Sequence, residues 1–314
     1  MKVKWLFIAL LLANALCLTA LDDKSGTSGF SFLKLQFSAR AAGMANAFTG
    51  LSNDADAVFY NTAGLVNCSE THFKATFINY INGMNGGSAV YTQKIDDVWS
   101  VAPFVQFLVS DDIDETVESG HLYEKIGTFH TSHIVAGVGF ARKIHEVVDF
   151  GINAKYFYEN LYDDCTATAL AFDFSVHHQT ENEALTVGGT LKNVGTQLSY
   201  YTEEQYKENM PLTAVVGAAY NFFDKGYINL DICRPFDSDF FGKFGLEYYH
   251  NTYLTLRGGL DTRMQDYKTN DDLDFLSGVA LGFGINWNQY VIDYATYSMG
   301  SFGFVNQIAV SVKF

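Results

Sequence analysis

From about residue 71 onward, apolar and polar residues alternate with a period of two in runs of roughly ten. That is the signature of strands showing one face to an apolar phase and the other to a polar one. In one run Val148, Phe150, Ile152, Ala154, Tyr156 and Tyr158 share a face, and Asp149, Gly151, Asn153, Lys155, Phe157 and Glu159 share the other. The next sets Leu170, Phe172, Phe174 and Val176 against Ala171, Asp173, Ser175 and His177. About fourteen such runs begin near Phe73, Gly87, Ser100, His133, Val147, Thr166, Ala184, Leu212, Gly226, Phe240, Thr252, Leu276, Gln289 and Val305, an even count that suits an antiparallel barrel.

The connections carry a second pattern. Those after odd-numbered runs tend to be long, at Ser110 to Ser132, Gly195 to Pro211 and Thr262 to Leu273. Those after even-numbered runs are turns such as Asn251, Asp224-Lys225 and Trp287-Asn288. Long on one rim and short on the other is the topology of an outer-membrane barrel, and it places both termini on the short-turn, periplasmic rim. Aromatic clusters such as Tyr156-Phe157-Tyr158 and Tyr248-Tyr249 fall where interfacial girdles belong. A soluble β-sandwich also alternates, but it predicts no such asymmetry. The expected fold is therefore all-β: an antiparallel transmembrane β-barrel of about 14 strands over residues 71–314.

Composition narrows the picture. The 314 residues are 48% hydrophobic, 16% aromatic and 18% charged, too apolar for disorder. A formal net charge of −15, with Lys and Arg scattered, excludes nucleic acid as a natural partner. Residues 1–20 resemble a secretory signal peptide: Lys2 and Lys4, an apolar stretch from Trp5, then small residues, with cleavage after Cys17 or after Ala20. The three later cysteines, Cys68, Cys165 and Cys233, form no disulfide framework and have no zinc spacing.

Residues 21–70 do not alternate. The stretch Ser38 to Gly50 is rich in alanine and glycine, and is followed by Asn53-Asp54-Ala55-Asp56 and then Val58 to Leu65. Small residues let short helices lie close against a wall, so this segment reads as a helical and loop hatch inside the lumen, or else as a periplasmic arm. Here Ser28-Gly29-Phe30-Ser31-Phe32, Ala39-Arg40-Ala41-Ala42-Gly43-Met44, Asp54 and Tyr60-Asn61-Thr62-Ala63-Gly64-Leu65 resemble the opening of the PorV/PorQ family, including the UPF0164-type proteins. The likeness continues through Leu191-Lys192-Asn193-Val194-Gly195 and Leu256-Arg257-Gly258-Gly259. That family in turn resembles FadL-type barrels with fourteen strands and an Asn-Pro-Ala motif in the hatch, where this chain has Asn61-Thr62-Ala63. The resemblance marks Arg40, Gly43, Asp54, Asn61, Ala63, Gly64 and Leu65 as the hatch motif. The missing proline leaves the hatch conformation open.

The family resemblance implies a protein-binding component of type IX-like secretion or surface attachment, with a translocon and cargo proteins as partners. The FadL likeness implies passage of hydrophobic small molecules, such as fatty acids, through a side opening at the third strand. Pro103 lies inside the third run, where it removes a ladder donor and could bend the wall, although a strand end or bulge explains it as well. The last run, with Ile308, Val310, Val312 and Phe314 on one face, looks like the terminal signal read by outer-membrane assembly machinery. Outer-membrane lipid and lipopolysaccharide surround such a barrel. Phosphate loops, nucleophile elbows and calcium loops are missing, so neither a cofactor nor catalysis is expected. The acidic clusters at Asp111 to Glu115 and Asp271 to Asp274 read as solvated loop charge. Asp149, Lys155, Asp173, Lys192, Asp231, Lys243, Glu247, Arg257 and Asp293 fall on polar faces and should point into the lumen.

Overall fold

A computed structural model describes residues 26–68, 70–120, 122–162, 165–180, 184–263, 269 and 273–314. The signal-peptide reading of residues 1–20 and the acidic pair Asp271-Asp272 lie outside the described residues. The strands are β1 (His72–Asn79), β2 (Asn85–Lys94), β3 (Trp99–Val109), β4 (Ile113–Ser119), β5 (Leu122–Phe129), β6 (Ser132–His145), β7 (Val148–Tyr162) and β8 (Cys165–Gln179). They continue as β9 (Leu185–Ser199), β10 (Thr213–Asn221), β11 (Gly226–Pro235), β12 (Phe241–Tyr249), β13 (Leu254–Asp261), β14 (Val279–Trp287), β15 (Tyr290–Ser298) and β16 (Phe304–Lys313).

All except β4 and β5 form one closed antiparallel barrel of fourteen strands, each beside its sequence neighbour, with β3 pairing to β6 across the β4–β5 hairpin. Closure is made by β1 and β16, in register from His72↔Lys313 to Asn79↔Asn306. Ile308 and Val310 face outward on that last strand, Val312 is half-buried, and Phe314 is exposed at its end, with its amide donating to the Thr71 carbonyl (2.9 Å).

The sense of the alternation decides what surrounds the barrel. On β8 the outward Phe172 is 37% exposed, whereas its inward neighbour Asp173 is 4% exposed. Leu170, Phe174 and Val176 are also exposed, while Ala169, Ala171, Ser175 and His177 are buried. A soluble sandwich buries its phenylalanines and shows its aspartates to water. This sheet does the reverse, as a wall in lipid must. Tyr156, Tyr158, Trp287 and Tyr290 all face outward, the last two meeting at 6.3 Å beside the 288–289 turn. No helix among the described residues is long and apolar enough to cross a membrane, so the strands do the spanning.

Turns at 95–98, 146–147, 222–225, 250–253 and 288–289 close one rim, and the strand ends that the long connections 110–131, 200–212 and 262–278 join lie on the other. Two details differ from the sequence reading. The stretch after β3 is not a plain loop but contains the β4–β5 hairpin, whose bulge between Glu115 and Thr116 obscures the alternation. The strand β9 also runs on to Ser199, past the expected end at Gly195.

The interior is filled by the front of the chain. Helical turns at Ala39–Ala42 and Ala57–Tyr60 and a 3-10 turn at Thr62–Asn67 put Met44, Phe48, Val58 and Leu65 into the bore, all essentially buried. The segment is thus a lumen hatch and not a periplasmic arm. Its described beginning lies at the long-connection rim, where Ser28 bridges Asn209 and bonds Asp237. The chain then descends through the bore to Thr71 at the short-turn rim. The first described residues thus lie at the long-connection rim and Phe314 at the short-turn rim.

Phe172→Arg places a cation on the hydrocarbon face of β8, and unfolding in lipid vesicles is expected to show a loss of about 2–4 kcal/mol. The same change at the inward neighbour, Asp173→Arg, is expected instead to break its contacts to Lys155 and the Asn193 amide, seen as lost amide protection on β7 and β9.

Candidate functional site

The hatch is joined to the wall by a buried ionic network. The Arg40 guanidinium donates from Nε and Nη2 to the two oxygens of Glu247 on β12 (2.9 and 2.7 Å), and from Nη1 to Asp54 (3.0 Å) and Asn53 (2.9 Å). Glu247 also accepts from Arg257 Nε on β13 (2.7 Å), whose Nη1 reaches Asp293 on β15 (2.7 Å). Lys74 on β1 completes the ring against Asp56, Asp54 (3.4 Å) and Asp293 (3.9 Å). A bidentate guanidinium–carboxylate pair fixes angle as well as distance, so Arg40 sets the pose of the hatch and not merely its presence.

Three cations face four carboxylates here. Burial pushes the Asp56 carboxyl up to about 6, the Asp54 charge adding to this and Lys74 opposing it. Burial acts the same way on Asp54, but Lys74 and Arg40 outweigh it and hold that carboxyl well below the usual range.

A second set of contacts joins side chains to backbone groups. Asn61 accepts from the Ala63 amide (3.2 Å) and donates from Nδ2 to the Thr49 carbonyl of the hatch and the Val176 carbonyl of β8 (both 3.0 Å). It thus caps its own turn and staples it to the wall. Asp231 Oδ2 on β11 accepts from the Phe48 and Thr49 amides (3.2 and 3.1 Å), and Asn153 on β7 donates to the Val58 carbonyl (3.0 Å). Close approach explains the small residues. A Cβ on Gly64 would lie 1.9 Å from the Ser52 carbonyl oxygen, and one on Gly259 of β13 would lie 2.4 Å from the Met44 carbonyl carbon.

The structure therefore brings Arg40 and Asp54 together in one ionic network. Asn61, Ala63, Gly64 and Leu65 form one capped turn, and Gly43 lies against β13 and β14, where its Cβ would stand 3.2 Å from both Arg257 Cβ and Gly282 Cα. The missing proline does not undo the turn, because Thr62 opens the 3-10 helix under the Asn61 cap. Glu247, Arg257 and Asp293 point inward as their polar faces predict. Lys74 and Asp56 went unrecognised. The alternation of His72, Lys74 and Thr76 against Phe73, Ala75 and Phe77 carries the signal for Lys74, whereas nothing local distinguishes Asp56 from an exposed turn acid. His177 and His178 diverge as expected: His177 is buried with Nε2 3.0 Å from the Gly50 carbonyl oxygen, and His178 is exposed. The described residues contain no cluster of metal-ligating type.

Above the hatch, toward the long connections, lies a cavity of about 580 Å³ lined by Leu33, Leu35, Tyr80, Leu108, Lys192 and Phe241 among others. A smaller space of about 30 Å³ shares Leu33, Leu35, Gln36, Lys192 and Asn193 with it and ends at Phe59 of the hatch and Phe104 of β3, whose rings meet edge to face at 5.2 Å. Pro103 sits beside Phe104, facing outward in the middle of β3. The β2–β3 ladder runs from Asn85↔Val109 to Val90↔Phe104 and resumes at Gln93↔Val101, leaving Tyr91 and Thr92 without ladder partners opposite Pro103 and Ala102. On its other side β3 pairs with β6 without a break. Pro103 thus marks neither a strand end nor a bulge; the register is kept across two residue pairs that lack ladder hydrogen bonds.

No protein-family model matches the sequence and no curated protein matches it. Solved structures do. The toluene transporter TbuX of Ralstonia pickettii superposes with a TM-score of 0.59 at 13% identity over 89% of this chain and 98% of that one. A FadL homologue of Pseudomonas aeruginosa gives 0.59 at 11% identity over 89% and 99%. The toluene transporter TodX of Pseudomonas putida gives 0.56 at 14% identity over 88% and 97%. At these identities the shared property is the FadL-type barrel fold.

Two outcomes follow. Arg40→Met leaves Glu247 and Asp54 short of a buried partner and is expected to weaken hatch docking by about 3–5 kcal/mol, seen as lost amide protection over residues 39–48 while the wall strands stay protected. Asp56, raised to about 6, takes up a proton as the hatch docks, so its share of stability is present at low pH and is lost as pH rises through that value. Asp54, lowered, contributes only above its unfolded value and loses this as pH falls. Hatch protection factors are therefore expected to peak near pH 4 and to decline until about pH 6, and Asp56→Asn is expected to abolish that decline.

Proposed function

We propose that this chain is an outer-membrane barrel that admits hydrophobic small molecules at its long-connection rim and passes them sideways through its wall. The observation that carries the reading is the gap in the β2–β3 ladder at Pro103, next to Phe104, where the smaller space beside the lumen cavity ends. The hatch network closes the axial route on the short-turn side. A molecule entering the cavity therefore meets a polar, bonded floor below and a weakened wall beside it. Two of the similar structures are described as toluene transporters, which supports the same reading.

In this reading the long connections are extracellular, the short turns periplasmic, lipid and lipopolysaccharide surround the apolar belt, and β16 with Phe314 is the strand presented to the assembly machinery. The hatch motif of Arg40, Gly43, Asp54, Asn61, Ala63, Gly64 and Leu65 is the plug. The protein-export role that the PorV/PorQ resemblance implies, with a translocon and cargo as partners, rests on sequence likeness alone. The similar structures are transporters and channels by description, so export is the weaker reading.

Pro103→Ala restores a donor on β3. It is expected to stabilise the wall by about 0.5–1.5 kcal/mol and to slow uptake of labelled toluene into cells several-fold. Uptake that is indifferent both to this change and to loss of the gene would overturn the transport reading.

A further inference from the structure

The outward faces of the barrel are almost without charge. Among the described residues of the fourteen barrel strands, the guanidinium, ammonium and carboxylate groups on that side reduce to Arg142 on β6 and Arg234 on β11. Each lies against an aromatic ring, Arg142 at 5.0 Å from the Trp99 centroid and Arg234 at 4.6 Å from that of Phe240. Their surroundings then differ. Arg234, at the long-connection rim, donates from Nη1 to the Ser238 carbonyl (3.0 Å) and has Asp239 at 4.0 Å. Arg142, near the short-turn rim, has neither a carboxylate partner nor a hydrogen-bond acceptor among the described residues. The acids of the adjoining turn are engaged elsewhere: Asp96 Oδ1 accepts from the Val98 and Trp99 amides (both 2.7 Å), and Asp97 pairs with Lys94 (3.5 Å).

What frames Arg142 is apolar. It stands directly across from Trp99 of β3 and Phe150 of β7, with the exposed Phe140 and Ile144 two positions away on its own strand. Stacking on Trp99 uses the face of the guanidinium and none of its N–H donors, so the planar fork that matches a phosphate group stays unspent. A cation beside the apolar belt is tolerated at the interface, where an anionic head group lies within its reach. Along the same seam toward the middle of the wall, the outward cross-strand pairs are Val101 with Phe140 and then Pro103 with Val138. From Trp99 to Pro103 the strand rises about 13 Å, and half the hydrocarbon thickness is about 15 Å, so acyl chains hung from a head group at Arg142 extend to Pro103.

We propose that Arg142 and Trp99 form a head-group site for a phospholipid of the leaflet on the short-turn side, whose phosphodiester takes the guanidinium and whose chains lie along the β3–β6 seam over Pro103. This rests on the outer-membrane reading, in which that rim is periplasmic, and not on the side route. It places an ordered lipid, and not bulk bilayer, against the outside of the strand where the β2–β3 ladder lacks pairs. A lipid without a phosphate would leave the guanidinium without a counter-charge.

The test is equilibrium binding to the purified full-length barrel in an uncharged detergent at low salt. Dioleoylphosphatidylethanolamine is compared with dioleoylglycerol, which keeps the chains and lacks the phosphate, and with glycerophosphoethanolamine, which keeps the head group and lacks the chains. The phospholipid is expected to bind at least about tenfold tighter than either. Arg142→Gln is expected to lose about tenfold or more of that affinity, and Arg234→Gln none. Heat-dependent gel mobility verifies that each variant is a folded barrel. Equal binding of dioleoylglycerol means that the head group is not read, and equal binding of glycerophosphoethanolamine means an anion site without a lipid bed. Either overturns the proposal, as does phospholipid binding that survives Arg142→Gln. Toluene uptake by cells carrying Pro103→Ala reports on the side route alone, so a failed lipid site leaves transport standing and a failed transport reading leaves the lipid site.

Discussion

A backbone amide facing hydrocarbon has no water to bond, and each one left unsatisfied costs several kilocalories per mole. Everything else in this molecule follows from that constraint. It requires β16 to return to β1, it forbids an open edge, and it inverts the usual burial pattern so that Phe172 faces outward while Asp173 is hidden. Once the sheet is closed, the polar faces have only one place to point. Their charges then meet in a confined bore, where solvent no longer screens them.

That confinement gives the hatch its form. An isolated surface ion pair contributes little, but Arg40, Glu247, Arg257, Asp293 and Lys74 form a connected and buried set in which each member needs the next. The energetic argument is one of necessity more than of gain. With the wall charges in place, removing the hatch's arginine leaves Glu247 with Arg257 alone and Asp54 with Lys74 alone among the cations, one charge short at each. A short helical segment, too small to be stable alone, is held because the wall has no better use for its own polar groups.

How much of this was legible in the sequence depended on the range of the interaction concerned. The strands were readable because a period of two survives any local noise, and all fourteen barrel strands begin within a few residues of the expected positions, from Phe73 to Val305. The β4–β5 hairpin was missed because a bulge at Glu115 shifts the phase of an already short alternation. The hatch was readable as small and non-alternating, and its motif through resemblance. Its partners were not readable, because Arg40 and Glu247 are 207 positions apart and their pairing is set by barrel curvature. The course of the first described residues from the long-connection rim downward has no sequence signature at all. It depends on Ser28 and Lys34 finding Asp237.

The floor and the wall of the lumen then differ in kind, and that difference has a direction. Below the cavity the hatch is held by the Arg40 network and the Asn61 staple, where opening means separating buried charges and leaving amides unpaired. Beside it, the ladder between β2 and β3 already lacks pairs at Tyr91 and Thr92, and the barrier on the inner side is an aromatic contact between Phe59 and Phe104. Edge-to-face rings are held by roughly 0.5–1.5 kcal/mol beyond their burial, whereas breaking a buried ion pair costs about 3–5 kcal/mol. A solute with an apolar body also gains on meeting the bilayer and loses on meeting the periplasm. The weaker of the two barriers is therefore the one on the lipid side.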